Sequence, residues 1–418
     1  MMKRLPIFAI VAALLLGGMI SFGQEASSTT VQGTVHGGQL DIFPGEDTIP
    51  ILSWHCMTPP NISVEHYLEL KECGFNLSFP HISSFADAKR ALDCAAEAGV
   101  RVMLMCNELY QSPETIVPQV KNHPGLAGYH LRDEPHSADI PGLKELNDKI
   151  VKLDPAHFTY LNLLPVGATD SFMPYLDYIH HCYGEVQTPF ISYDHYGIVG
   201  NSVRATYYLN LEIISQEARK MGKPFWAFAL STAHGGYPVP NVAQLKFQMY
   251  SNLAYGAQGL QYFTYWNPGT EVWDFHDAPI LQNGKRSSVY DFVREVNEEL
   301  QKRNFVFMRS TVLWVRHTGA ELPPGTTRLE ASELPVQVKS LDTHGRDAVV
   351  SLLAKNDARY LVVVNASFDT AMNLTATFAD GVDRIRKDGS RVAADEYADT
   401  LIVGPGECEV FAWQENVE

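Results

Sequence analysis

Two adjacent carboxylates, Asp133 and Glu134, stand near the end of residues 126–135, LAGYHLRDEP. The apolar opening of this stretch gives way to His130, Arg132, Asp133 and Glu134, and Pro135 follows. An apolar run of strand length, closed by a residue that cannot donate to a ladder, reads as a buried strand emerging at its carboxyl end. Charges placed there are costly unless they are paired, hydrogen-bonded or used. In a barrel of parallel strands and helices, active-site groups sit at the carboxyl ends of the strands, which makes Glu134 the candidate general acid. The structural alternative is that the pair caps the next helix, whose N-terminus favours carboxylates.

The elements needed to position such groups recur along the chain. Short β-rich runs at 49–54, 75–79 and 100–105 end at His55, at His81, and at Asn107 with Glu108. Runs at 158–164 and 190–193 end at Pro165 and at Asp194-His195-Tyr196. Those at 224–230 and 259–265 end at Ser231 with His234, and at Trp266. Between them lie stretches with helical apolar spacing, such as Phe85–Ala98, where Ala88, Leu92 and Ala95 share a face and Gly99 marks the stop. Others cover 142–153, 203–221, 242–256 and 288–304. This alternation predicts an α/β fold, a (β/α)8 TIM barrel over residues 48–308. An open doubly wound sheet would want a Gly-rich phosphate loop after its first strand, and none is present. From 309 to 418 short alternating runs separated by Gly, Asp and Asn turns predict a C-terminal antiparallel β-sandwich.

A barrel would bring His55, His81, Asn107, Glu108, Asp133, Glu134, Asp194, His195, Tyr196, His234 and Trp266 to one mouth. Two carboxylates in an aromatic-lined cleft are the equipment of glycoside hydrolysis: one protonates the leaving oxygen, the other attacks the sugar or activates water. Glu134, at a partly apolar strand end, suits the acid, because such surroundings raise a carboxyl pKa. Trp266 would stack beneath a sugar, and the His and Tyr side chains would bond its hydroxyls. A metal-dependent hydrolase is the weaker reading. His55, His81, Glu108, Asp194 and His234 offer ligand types, but no HxH or HExxH motif organises them, so no metal or cofactor is expected.

The Asp133-Glu134-Pro135 end of the fourth strand and Trp266 after the eighth resemble the clan A retaining glycoside hydrolases, and the layout over 49–304 resembles family 42-type β-galactosidases. In that clan the Glu of an Asn-Glu-Pro-type motif after strand four is the acid/base, which the resemblance carries to Glu134. Family 42-type proteins also place the barrel before antiparallel β-domains. Two positions depart from the pattern. Asp133 stands where the clan has Asn, and the seventh strand, PFWAFALS, ends without the nucleophilic Glu. The second carboxylate must then come from elsewhere: Asp194 first, then Glu108, then Glu271 or Asp274. A non-catalytic carbohydrate-binding protein on a degenerate barrel is the alternative function.

The formal net charge of −16 argues against nucleic acid or an anionic membrane surface as partner, since both require a basic footprint. Lys3, Arg4, an apolar run at 7–20 and Ser21-Phe22-Gly23 predict a signal peptide over 1–23, hence export to the periplasm or beyond. No cysteine follows the apolar run to carry a lipid anchor, and a flexible segment is expected at 24–47. The six cysteines form no CxxC spacing and are expected as free, buried thiols.

Overall fold

The computed structural model describes residues 42–43, 47–168, 173–394 and 400–415. The expected signal peptide and nearly all of the segment 24–47 lie outside the described residues. The first half of the barrel comprises β1 (Ile51–Trp54), α1 (Val64–Glu72), β2 (Leu77–Phe79), α2 (Phe85–Ala98), β3 (Arg101–Leu104), the short α3 (Asn107–Gln111), α4 (Pro113–Val120) and β4 (Leu126–Asp133). The second half follows with α5 (Ile140–Leu153), β5 (Phe158–Leu163), α6 (Tyr175–Glu185) and β6 (Ile191–Tyr193). A two-rung hairpin, β7 (Ile198–Val199) with β8 (Ser202–Val203), precedes α7 (Thr206–Met221), β9 (Phe225–Leu230), α8 (Val242–Ala254), β10 (Gly259–Phe263), α9 (Ser288–Lys302) and α10 (Asn304–Phe307). Eight parallel strands close in the order β1-β10-β9-β6-β5-β4-β3-β2. The expected TIM barrel is present.

Local chemistry sets these elements. Ser84 caps α2 by accepting from the Asp87 amide, Ala88, Leu92 and Ala95 are buried, and Gly99 ends the helix at φ +71°. Inside the barrel, Leu52, Trp54, Phe79, Phe158, Tyr160, Phe190, Trp226 and Phe228 pack on one another. The lumen is therefore a filled core, and a ligand must bind at the mouth. Gly259 is required by this packing: a Cβ there would lie 2.4 Å from the Trp226 ring.

The C-terminal part contains β11 (Thr311–His317), β12 (Val338–Asp342), β13 (Ala348–Lys355), β14 (Ala358–Asn365), β15 (Met372–Phe378), β16 (Asp383–Ile385), β17 (Arg391–Ala393), β18 (Thr400–Val403) and β19 (Cys408–Gln414). They form a six-stranded sheet, β11-β13-β14-β19-β16-β17, and a three-stranded sheet, β12-β15-β18. Val350, Leu361, Val363, Leu374 and Phe411 fill the space between the sheets. Alternate residues of the larger sheet, Val349, Val362, Val364 and Val410, join the core shared with the barrel helices. This period-two split explains why those strands are apolar on both faces. None of the six cysteines is in a disulfide, and all but Cys94 are buried. No helix among the described residues is long and apolar enough to cross a membrane.

Candidate active site

The site begins with an irregularity in β4. Its register against β5 slips between His130 and Arg132, which pairs Asp133 with Asn162. Such a bulge re-aims the side chains that follow it. Glu134 then adopts φ +47°, a left-handed conformation uncommon for a residue with a side chain, and its amide donates to the Asn162 carbonyl at 2.9 Å. Neither carboxylate caps a helix, because the helical turn at Ser137–Asp139 has His136 at its cap. The structural alternative for the pair thus fails.

Asn162 organises the carboxylates. Its Nδ2 donates to Asp133 Oδ1 at 3.0 Å and to Asp194 Oδ1 at 3.1 Å. The trigonal spread of an amide's two N–H bonds puts those acceptors about 5 Å apart. The amide cannot flip without loss, because Ser192 Oγ donates to its Oδ1 at 2.8 Å. Ser192 Oγ in turn accepts from Gln261 Nε2 at 2.9 Å and pairs with the Tyr160 hydroxyl, which donates to Gln261 Oε1 at 2.6 Å. A buried polar layer on β5, β6 and β10 therefore fixes the group that touches both acids.

Crowding sets the protonation. Desolvation by the packed mouth, with Glu134 adjacent, lifts Asp133 to about 6, although the residue keeps an open side to solvent. Partial desolvation also raises Glu134, which stays exposed at the mouth, with His136 opposing. Asp194 is pushed well above the usual carboxylate range, first by burial and then by the charges of Glu134 and Asp133. Asn162 and the Tyr196 hydroxyl act the other way, donating to Asp194 and favouring its ionised form.

His81 and His130 share a cavity lining with Asp133, and His55 lies behind His81. His55 and His81 lie with ring centroids 5.1 Å apart, and His130 is stacked on Phe79 at 4.6 Å. His130 Nδ1 meets the Tyr110 hydroxyl at 2.8 Å, while its Nε2, His55 Nδ1 and His81 Nδ1 are buried without a partner. Burial holds His130 neutral, its pKa brought down to about 3. His81, Tyr110, His130, Arg132 and Asp133 share the lining of a cavity of about 560 Å³ that opens toward α5. No group of three or more His, Cys, Asp or Glu among the described residues is disposed to hold a metal ion.

Several expected contributors are placed elsewhere. Trp266 is 5% exposed and packs edge-on against His66, so it offers no open face to a sugar. Glu108 Oε2 accepts from the Phe85 amide at 3.1 Å and is occupied at the start of α2. His195 is buried, its Nε2 2.9 Å from Thr206 Oγ1. Asn107 is exposed on the first turn of α3. Asp274 accepts from the Gly235 amide, and Glu271 is exposed in the same loop. His234 and Tyr196 belong to an aromatic wall with Tyr237, the His234–Tyr237 and Tyr196–Tyr237 centroids being 4.8 and 5.7 Å apart. The seventh barrel strand, β9, is followed by Ser231, whose Oγ donates to the Thr264 carbonyl at 2.7 Å. Sequence reasoning missed Asn162, Tyr110 and His130 as parts of the site. The signal for Asn162 was a lone amide within the apolar run 158–164.

Residues 143–303 match a family model for glycoside hydrolase family 42, described as β-galactosidase. That region contains Asn162 and Asp194 and begins after Glu134. Among solved structures, a family 42 β-galactosidase from G. stearothermophilus is 10% identical with a TM-score of 0.59, over 89% of this chain and 99% of that one. The β-galactosidase from Bacillus circulans sp. alkalophilus is 9% identical with a TM-score of 0.59, over 89% and 100%. A family 5 glycoside hydrolase from Bacteroides vulgatus is 12% identical with a TM-score of 0.52, over 88% and 89%. No curated protein matches the chain. The chain is thus similar to family 42-type glycoside hydrolases, in sequence over part of its barrel and in fold over most of its length.

Proposed function

We propose that this protein is an exported glycoside hydrolase acting on β-galactoside-containing oligosaccharides, with Glu134 as general acid/base and Asp194 as the second carboxylate. The observation that carries the reading is the single amide of Asn162 held between Asp133 and Asp194, one residue from Glu134. Carboxyls this close cannot all ionise, so the cluster retains a proton near neutral pH. On this reading Asp194 must be ionised when the sugar is bound. Donation from Asn162 and Tyr196 favours that form, against burial and the charges of Glu134 and Asp133, which together hold Asp194 well above the usual carboxylate range. Glu134, also raised by desolvation and open to solvent at the mouth, delivers a proton to the leaving oxygen. Asp194 then attacks the anomeric carbon or activates water. His81 and His130 are the histidines that meet the sugar, in the cavity whose lining they share with Asp133. The sugar follows from what the family model and two of the structural neighbours are called, and export from the basic and apolar segments before residue 24.

The test is turnover of 4-nitrophenyl β-D-galactoside, within a panel of aryl glycosides, by the wild type and Glu134→Gln. Loss of a general acid should lower kcat by roughly 10²–10⁴-fold. The absence of a carboxylate at Ser231 favours a second reading, a sugar-binding protein on an inactive barrel. Sugar binding without turnover in either protein would establish that alternative.

A further inference from the structure

Of the six tryptophans, Trp54, Trp226, Trp266 and Trp413 are buried and Trp314 is half-buried. Trp273 is 58% exposed, beside Val272 at 82%. Both lie in the loop after β10, at the barrel mouth. The loop is held on either side of the indole. Ala233 and His276 exchange backbone hydrogen bonds at 3.1 and 3.0 Å, and Asp274 Oδ1 accepts from the Gly235 amide at 2.6 Å. Asn267 Nδ2 donates to the Phe275 carbonyl at 3.2 Å. A large apolar ring is therefore presented to water on a braced loop.

The ring continues the wall of the site. Trp273 meets His234 edge-on at 6.3 Å, His234 leads to Tyr237, and Tyr237 to Tyr196, which donates to Asp194. An aromatic row thus runs from the second carboxylate to the exposed indole. A rigid ring with a polar edge suits a partner that is apolar on one side and wet on the other, which describes the C–H face of a pyranose.

We infer that Trp273 is a stacking platform for a sugar ring beyond the scissile bond, so that the substrate is a chain of two or more sugars lying along this wall. The inference rests on the hydrolase reading above and adds to it the length and direction of the substrate. Stacking of this kind gives roughly a 3–10-fold change in affinity.

The test compares wild type and Trp273→Ala on β-galactosyl fluoride, which has no aglycone ring, and on β-1,4-galactotetraose. The expected result is a 3–10-fold loss of kcat/KM on the tetraose, carried by KM, with the fluoride unchanged and Trp273→Phe recovering part of the loss. Equal effects on both substrates, or none on either, overturn the platform. Calorimetric titration with the tetraose separates the two claims. If the wild type hydrolyses neither substrate, the hydrolase reading fails, while weaker binding by Trp273→Ala still supports the platform. Equal affinity, or no binding by either protein, overturns it.

Discussion

At the scale of residues, Asn162 decides what its neighbours can do, because one amide serves two acids and is locked by Ser192 behind it. Desolvation pushes Asp133 up to about 6, so the folded protein holds this proton more tightly than the unfolded chain. The stability that this provides is complete below the ordinary pKa and is lost as pH rises through 6. Asp133→Asn carries no titrating group at this position. Its melting temperature should gain on the wild type between pH 4.5 and 7.5; a gap that stays constant would show that Asp133 is not perturbed. Asp133, Glu134 and Asp194 were legible as strand-end acids, because carboxylates after apolar runs are conspicuous. Asn162 was not, since its role depends on a bulge that one sequence does not reveal. Trp266 misled for a related reason: the residues that cover it come from the loop at Gly284 and from His66, far away in the chain.

At the scale of elements, the strands and helices followed the apolar periodicity closely. Helix α2 has the bounds that its spacing suggested, and β4 runs two residues further than its apolar part because the bulge carries the ladder to Asp133. The hairpin of β16 and β17 escaped notice, since three-residue strands reading DRI and RVA carry too little apolar alternation. Gly259 tests the filled lumen that confines binding to the mouth. Gly259→Ala forces a methyl against Trp226 and should cost about 1–3 kcal/mol in urea denaturation. Gly184→Ala, in α6 with no atom near the added methyl, should be neutral or stabilising by up to about 1 kcal/mol. Equal midpoints for the two variants would contradict the close packing.

At the scale of the whole molecule, the β-sandwich is joined to the barrel through buried charge as well as apolar surface. Arg303, 1% exposed, donates to the Cys408 carbonyl at 3.1 Å, to Glu299 at 2.9 Å and to the Tyr250 hydroxyl, and Lys246 meets Glu299 at 2.9 Å. Removing one partner of a buried pair leaves the other charge uncompensated, so Arg303→Met should cost about 3–5 kcal/mol in chemical denaturation. A change below about 1 kcal/mol would mean that the junction is held by its apolar contacts alone. The two-part layout was readable from the change of period after residue 304. The docking was not, because it depends on which face of the larger sheet meets α8.

The central claim is that Glu134 and Asp194 act as a unit on a glycosidic bond. It is tested most directly by single-turnover and steady-state rates of Glu134→Gln, Asp194→Asn and the double variant on the aryl β-galactoside. Groups that work together in one reaction are strongly non-additive. Each single variant should lose roughly 10²-fold or more, and the double variant little beyond the worse of the two. Undiminished turnover in either single variant would contradict the pairing and move the second carboxylate to another residue.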